Sequence, residues 1–514
     1  MLGPYHPERH ARATPEHPAV VMAGDGATVT YRELADRSAR LAAALREAGV
    51  EPGARIAILA ENHPRVFEVC WAALRSGLYA TPIPTSLTVD EAAYIVDDAG
   101  ATVLMATAAQ AEVAAELARA VPSLRVRLAI GGPIDGFAPY LEAVFAQPVT
   151  APVDEPEGAM MFYSSGTTGR PKGIQRPLSG RAAGSSFPLA PFQPHVGLGP
   201  DTVYLSPGPL YHAAPLGWSL GVQRCGGTVV VLERFDAAAA LRAIAHYRVT
   251  HAQFVPTMFI RLLRLPGAQR RAYDLSSLRT VIHAAAPCPP DVKEAMIRWL
   301  GPIVDEYYSG SEGSGITYLT SPEWLEHRGS VGRPILGEVS ITDDDGELLA
   351  PFEPGTIWFR GGERYEYRGD PEATASKRDR RGWTTLDDVG YLDLDGYLYL
   401  TDRRTHMIVS GGVNVYPLEA ENVLAIHPAV EDVAVIGVPH PEFGEEVKAV
   451  VVAAGEPDDA LAGELIAYCR ERLAHSKCPR SVDFVDELPR LATGKLAKHK
   501  LKDRYWAGHA TRLL

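Results

Sequence analysis

The chain reads as an α/β protein with a large N-terminal domain of two mostly parallel, helix-covered sheets. A small β-rich subdomain and then a small C-terminal α+β domain follow. Three observations predict this. Short apolar, strand-like runs alternate with helical patterns over roughly the first 330 residues, the rhythm of βαβ units. After about residue 330, short strands and tight Asp- and Gly-containing turns take over. A second α/β pattern starts near residue 405, and at 514 residues the chain is too long for one ordinary domain. The expected limits are 1–402, with the β-rich subdomain at about 330–402, and 403–514, with the boundary near Thr405.

The elements follow in order. Thr30-Tyr31-Arg32-Glu33 has capping-box spacing; Leu34, Leu41 and Leu45 then share a helix face, and Gly49 ends it. Residues 55–59 form a short strand. A helix near 64–76 leads into 79–84, strand-like until its prolines. Residues 102–105, 228–232, 252–255 and 280–283 are further buried-strand candidates, with helices such as 237–246 between them. A strand is expected at 302–304, leading into a turn. In the C-terminal part, helices are expected at 417–426 and 460–473 and strands at 433–436 and 447–452.

Composition narrows the function. Hydrophobic residues make up 46% and charged residues 22% of the chain, as in a soluble globular protein. A net charge of −13 argues against general nucleic-acid binding, which needs clustered Lys and Arg. Five scattered cysteines without C-x-x-C spacing argue against a disulfide framework or a zinc site and for a reducing compartment. Residues 1–18 lack the apolar core of a secretory signal, no run approaches the roughly 18 apolar residues of a membrane span, and the last residues are not a peroxisomal tripeptide. A cytoplasmic protein without a membrane span is expected.

The most informative stretch is 163–174, which carries Ser164, Ser165, Gly166, Thr167, Thr168, Gly169 and Lys172 directly after an apolar run. Glycines let the backbone approach a ligand, hydroxyls and N–H groups donate hydrogen bonds, and Lys172 brings charge, so the loop suits polyphosphate. It lacks Walker A spacing. Farther on, Tyr308-Ser309-Gly310-Ser311-Glu312 sets an aromatic ring and a carboxylate on a turn; Tyr308 can stack on a base and Glu312 can hold Mg²⁺ against phosphates. Gly217-Trp218-Ser219-Leu220-Gly221 matches a hydrolase nucleophile elbow. That motif needs a strand before it and a helix after it. Here Pro215 precedes it and a strand-like run follows, so a helix is expected and a serine hydrolase using Ser219 is a minor alternative.

Taken together these segments resemble the adenylate-forming superfamily, most closely its acyl-CoA synthetases, over nearly the whole chain and in family order. The 163–174 stretch resembles its phosphate loop, and 308–312 its Tyr-Gly-x-Thr-Glu segment, with Ser309 for Gly and Ser311 for Thr. Residues 382–390 resemble Gly-Trp-x-x-Thr-Gly-Asp-x-Gly, whose Asp binds the ribose hydroxyls; Asp388 takes that place. Leu386 and Asp387 depart from Thr-Gly. At ~6–8 Å and an effective dielectric of about 20, the added Asp387 charge would cost an anionic nucleotide on the order of 2 kcal/mol.

By the same resemblance, Arg403 is expected at the ribose and Thr405 at the hinge of a mobile C-terminal domain. Gly411 and Gly412 would let pantetheine pass close to the backbone, and Lys495 is the lysine that reaches the carboxylate and the α-phosphate. His212 would be the aromatic gate of the acyl site, and Ala285, Ala286 and Pro287 would flank nucleotide and acyl group. The resemblance implies an acid–thiol ligase using ATP, Mg²⁺ and CoA on a bulky, mostly apolar carboxylic acid. CoA is expected as acceptor because no carrier module follows Lys495. An acyl-AMP ligase loading a separate carrier protein, and a partial enzyme mainly transferring a supplied adenylate, are the competing readings; a non-catalytic nucleotide-binding protein is disfavoured because Glu312 and Lys495 are both present. A homodimer is left open.

Overall fold

A computed structural model describes residues 2–148, 155–164, 170–403, 406–410, 413–440, 443–490 and 496–507. Two large sheets form the centre of the N-terminal region. One has six strands in the order Ala138–Pro139, Val126–Ile130, Val103–Thr107, Arg55–Leu59, Tyr79–Ile83, Ala159–Met160, all parallel. The other has nine. Its parallel centre runs Val304–Ser309, Thr280–His283, His251–Phe254, Val203–Ser206, Thr228–Val231 and Pro18–Met22, and antiparallel strands close both edges.

Between the sheets lie the helices Tyr31–Glu47, Arg65–Leu74 and Ala213–Arg224. The first starts at Thr30 with both halves of the expected capping box, so two end N–H groups find partners. The helix Arg65–Leu74 is buried nearly all round, as an element between two sheets must be, and Trp71 donates its indole N–H to Gln223 of the helix Ala213–Arg224 at 2.7 Å.

The structure corrects one expectation. The strand expected at 302–304 instead runs Val304–Ser309, so Tyr307 and Tyr308 sit on a strand and the turn begins only at Gly310. The antiparallel neighbour Ile316–Leu319 holds this extension and sends the two tyrosines to opposite faces.

A four-stranded antiparallel sheet built from Glu338–Thr342, Gly355–Arg360, Thr384–Leu392 and Leu398–Arg403 forms the β-rich part. The smaller C-terminal domain has a five-stranded sheet centred on the long pair Val430–His440 and Gly444–Ala453, backed by the helices Pro417–Ala425, Asp459–Arg470 and Lys498–Trp506. All five cysteines are free. Among the described residues no helix is long and apolar enough to cross a membrane.

Candidate active site

A cavity of about 2000 Å³ lies at the C-terminal ends of the nine-stranded sheet's parallel strands, roofed by the C-terminal domain. Ligands of open parallel sheets collect at that edge. Ser164, Lys172, Ala285, Tyr308, Glu312 and Asp388 line one end.

The ends of the expected phosphate loop are fastened to each other. Ser164 donates its backbone N–H to the Lys172 carbonyl at 2.8 Å, and its hydroxyl accepts the Lys172 N–H at 3.3 Å. Residues 165–169 lie outside the described residues. The Lys172 ammonium pairs with Asp370 at 2.9 Å and lies 5.6 Å from the centre of the Tyr367 ring. Tyr367 in turn donates its hydroxyl to Glu312 at 2.9 Å. Burial and the Glu312 charge push the Tyr367 phenol well above its ordinary value, so it stays a donor. One carboxylate oxygen is therefore held by Tyr367. A hard oxygen facing a cavity shared with the phosphate-loop ends suits Mg²⁺, which takes one or two carboxylates and fills its shell with water and phosphate oxygens.

Tyr308 donates its hydroxyl to Asp388 at 2.6 Å, so the expected base-stacking and ribose-binding residues are coupled. Cross-strand register sets Arg403 opposite Asp388. Ser309 donates its hydroxyl to the Gly315 carbonyl at 2.7 Å, a bond that glycine could not make. Gly310 leaves little room: a Cβ there would stand 2.6 Å from Leu386 and 2.7 Å from the Glu312 carboxylate, so both side chains would have to shift. Leu386, one of the departures from the family pattern, thus packs directly over the motif. Ser311 accepts a hydrogen bond from Arg176 through its carbonyl at 3.0 Å.

The concern over Asp387 is answered by a partner. The Lys377 ammonium forms an ion pair with its carboxylate, which offsets the charge facing a nucleotide. Asp387 has φ 63°, a left-handed conformation that favours glycine, and Ala285 has φ 73°. Both strained residues line the cavity.

The other end of the cavity is aromatic. Phe192 packs against Trp218 and Tyr307 with ring centres 5.0 and 5.1 Å apart. His212 precedes the helix Ala213–Arg224 and lines the cavity, with Ala285, Ala286 and Pro287 also in its wall. Gly217 faces it as well, and a Cβ there would meet open space. Ser219 is buried in mid-helix and donates its hydroxyl to the Pro215 carbonyl at 2.7 Å. There is no strand–turn–helix elbow, and the hydrolase alternative loses its geometry.

The cavity wall includes Glu306, part of a charged cluster whose pairing sequence reasoning missed. Lys293 Nζ lies 2.6 Å and His283 Nε2 3.3 Å from one oxygen of Glu306, and Lys293 and His283 are fully buried. Burial opposes the Glu306 charge, but His283 and Lys293 hold its carboxyl below the usual carboxylate range; burial pushes His283 down. Tyr367, Asp370 and Lys377 were missed too. Tyr367 and Asp370 act through contacts to segments far away in sequence, Lys377 through a residue ten positions on, and no local motif marks any of them.

Thr405, Gly411, Gly412 and Lys495 lie outside the described residues. Arg490 and Leu496, on either side of the Lys495 motif, pair as an antiparallel bridge, and both line the cavity, as do Glu421 and Asp432 of the C-terminal domain.

Comparison with known proteins agrees with this geometry. The model of the AMP-binding enzyme family matches residues 7–363, and that of the AMP-binding enzyme C-terminal domain matches residues 419–495. A feruloyl-CoA synthase of Amycolatopsis sp is 39% identical over 503 residues, covering 97% of this chain and 98% of that protein. A medium/long-chain-fatty-acid–CoA ligase of Mycobacterium tuberculosis is 34% identical, covering 95% of this chain and 88% of that protein. The solved structure of o-succinylbenzoate CoA synthetase from Bacillus subtilis, in complex with its acyl-adenylate intermediate, superposes with a TM-score of 0.81 at 29% identity over 97% of each chain. The chain belongs to the AMP-binding enzyme family and is an acid–thiol ligase of the adenylate-forming superfamily.

Proposed function

We propose that this ligase activates a bulky, mostly apolar aromatic carboxylic acid with MgATP as an acyl-adenylate and then passes the acyl group to CoA. The observation that carries the reading is the continuous cavity, with the expected nucleotide residues at one end and a chamber walled by Phe192, Trp218 and Tyr307 at the other. Such a chamber offers ring faces and edges to a flat substituent. The feruloyl-CoA synthase relative points the same way.

In this reading the loop 164–172 wraps the phosphates, Tyr308 packs on the base, and Asp388 with Arg403 takes the ribose. Lys172 leaves Asp370 for phosphate oxygens when ATP enters. Glu312 would hold Mg²⁺, which neutralises phosphate charge when bound. With the acid in the aromatic chamber, its carboxylate attacks the α-phosphate and pyrophosphate departs. Lys495 sits against the charge that builds there. The C-terminal domain then turns about Thr405, withdrawing Lys495 and bringing Gly411 and Gly412 to the cavity for pantetheine. The CoA thiolate attacks the acyl carbonyl and AMP leaves. His212 gates the passage between the two ends.

A panel of aromatic and fatty acids, assayed in parallel for pyrophosphate release and for CoA thioester, tests the reading. Acid-dependent pyrophosphate with aryl-CoA as product is expected. Thioester formed only on a carrier protein, or turnover of fatty acids alone, would overturn it. Weak pyrophosphate release beside good transfer from preformed acyl-AMP would favour a partial enzyme.

A further inference from the structure

The aromatic chamber contains an ordered chain of hydrogen bonds with one proton left over. Tyr204 is 1% exposed, and the partner of its hydroxyl is Oε1 of Gln253, at 3.3 Å. That donation orients the amide, because Tyr204 is buried while Tyr307 is only partly so, and the reverse orientation would leave the more buried O–H without its acceptor. With Oε1 taken by Tyr204, Nε2 of Gln253 faces the Tyr307 hydroxyl oxygen and donates to it at 2.8 Å. Trp218 donates its indole N–H to the same oxygen at 3.3 Å.

The Tyr307 oxygen thus accepts two hydrogen bonds, which fills its lone pairs. Its own O–H proton has no acceptor among the described residues. Phe192 packs edge-on against the Tyr307 ring, and Trp218 covers another side, so the phenol is held in place. Tyr307, Gln253 and Trp218 all line the cavity. The next residue, Tyr308, projects to the opposite face of the strand and bonds Asp388, which leaves Tyr307 on the acyl side. Two donors into one oxygen polarise its O–H and strengthen it toward a further acceptor.

From this we infer that Tyr307 is a specificity-determining residue that donates its hydroxyl proton to an ether or phenol oxygen on the ring of the aromatic acid, with Gln253 as the positioning residue that turns the proton into the chamber. The inference rests on the aromatic-acid reading above. It goes further by selecting oxygen-substituted rings over hydrocarbon rings of the same shape. A purely apolar substituent at that place would leave the Tyr307 O–H desolvated without a partner.

The test uses shape-matched pairs, 3- and 4-methoxycinnamate against 3- and 4-ethylcinnamate, with kcat/KM for CoA-thioester formation as the readout. In the native enzyme at least one methoxy acid is preferred over its ethyl partner by about ten-fold, the worth of one well-placed neutral hydrogen bond. In Tyr307→Phe the ratio falls to within about two-fold. The second variant, Gln253→Glu, keeps shape and keeps Tyr307, but its carboxylate accepts from both tyrosines and turns the proton inward; the preference disappears there too, through KM for the methoxy acid more than through kcat. Equal use of both members of each pair by the native enzyme, or a preference that survives both variants, overturns the inference while leaving the aromatic-acid reading intact. Failure of the native enzyme to form a thioester from any of the four acids, beside turnover of fatty acids, overturns that reading and the inference with it.

Discussion

The two ends of the cavity are stabilised in opposite ways. At the nucleotide end, charged side chains pair with partners that water can reach: Lys172 with Asp370, Arg176 with Glu363 and Lys377 with Asp387, each with at least one member more than a third exposed. Exposed pairs of this kind are worth little and exchange readily, so an incoming polyphosphate can take over their cations. The acyl end keeps its Arg224–Glu157 ion pair buried. It is built from interlocked rings and a neutral hydrogen-bond chain, with Glu306 in its wall backed by the fully buried Lys293 and His283. One end is therefore held by water-accessible ion pairs, and the other by packed rings and neutral hydrogen bonds.

The Lys293–Glu306–His283 cluster gives the largest expected effect. Glu306→Gln leaves the fully buried Lys293 ammonium without its counter-charge, and losing one partner of a buried pair costs about 3–5 kcal/mol. Chemical denaturation should show this as a much lower midpoint. Little change would mean that the cluster is wetter than its burial implies. The pH dependence has a definite sign. The folded state disfavours the protonated His283, so below its ordinary pKa of 6.5 the unfolded chain takes up protons first and stability falls as pH drops. The depressed Glu306 carboxyl adds stability that is full above 4.5 and is lost as pH falls through the folded value. Both act in the same direction, so acidification from pH 7.5 should lower the denaturation midpoint, and a midpoint that rises would contradict the assignment.

At the other end the effects fall on catalysis. Lys495→Ala should slow acid-dependent pyrophosphate release by about 10²–10³-fold, the usual loss when one preorganised charge is removed from a developing anion. Transfer from preformed acyl-AMP to CoA should be nearly unaffected. Equal loss in both half-reactions would show that Lys495 does not serve adenylation alone. Tyr367→Phe frees the Glu312 oxygen of its 2.9 Å hydrogen bond and should change KM for MgATP by about five-fold, near the 1 kcal/mol worth of such a bond. An unchanged KM would separate Glu312 from the metal–nucleotide site.

The two ends also differed in how well the sequence disclosed them. Tyr308, Glu312 and Asp388 stand in short motifs whose order carries meaning, so they could be picked out before any fold was known. The βαβ rhythm was equally clear, because buried parallel strands are mostly apolar, as Val229, Val230 and Val231 are. Gln253 and Tyr204 could not be picked out. Each sits in a strand that reads as ordinary core, and the chain of bonds exists only because the sheet brings residues about 50 positions apart within reach of one another, twice in succession. The strand at 304–309 was misjudged for a related reason: Gly and Ser dominate the following turn, and the antiparallel neighbour that extends the strand is invisible locally. Asp387 looked like a defect because its charge could be read, whereas Lys377, ten residues earlier, was only one cation in a basic stretch.

That pair supplies the smallest effect and the finest probe of the exchangeable end. Lys377→Ala should raise KM for ATP only a few-fold, because the Asp387 carboxylate is 41% exposed and water screens most of its repulsion. Asp387→Gly should do the reverse for two reasons. It removes the charge, and it places at φ 63° the residue for which that conformation carries no steric cost. If the lysine serves only to mask Asp387, then Lys377→Ala in the Asp387→Gly background should leave KM for ATP unchanged, and the double-mutant coupling should match the single effect. A residual rise in that background would mean that Lys377 touches the nucleotide directly. Lys377 would then behave as Lys172 is expected to, held by a carboxylate until a phosphate arrives, and the exchangeable character of this end would extend to a second cation.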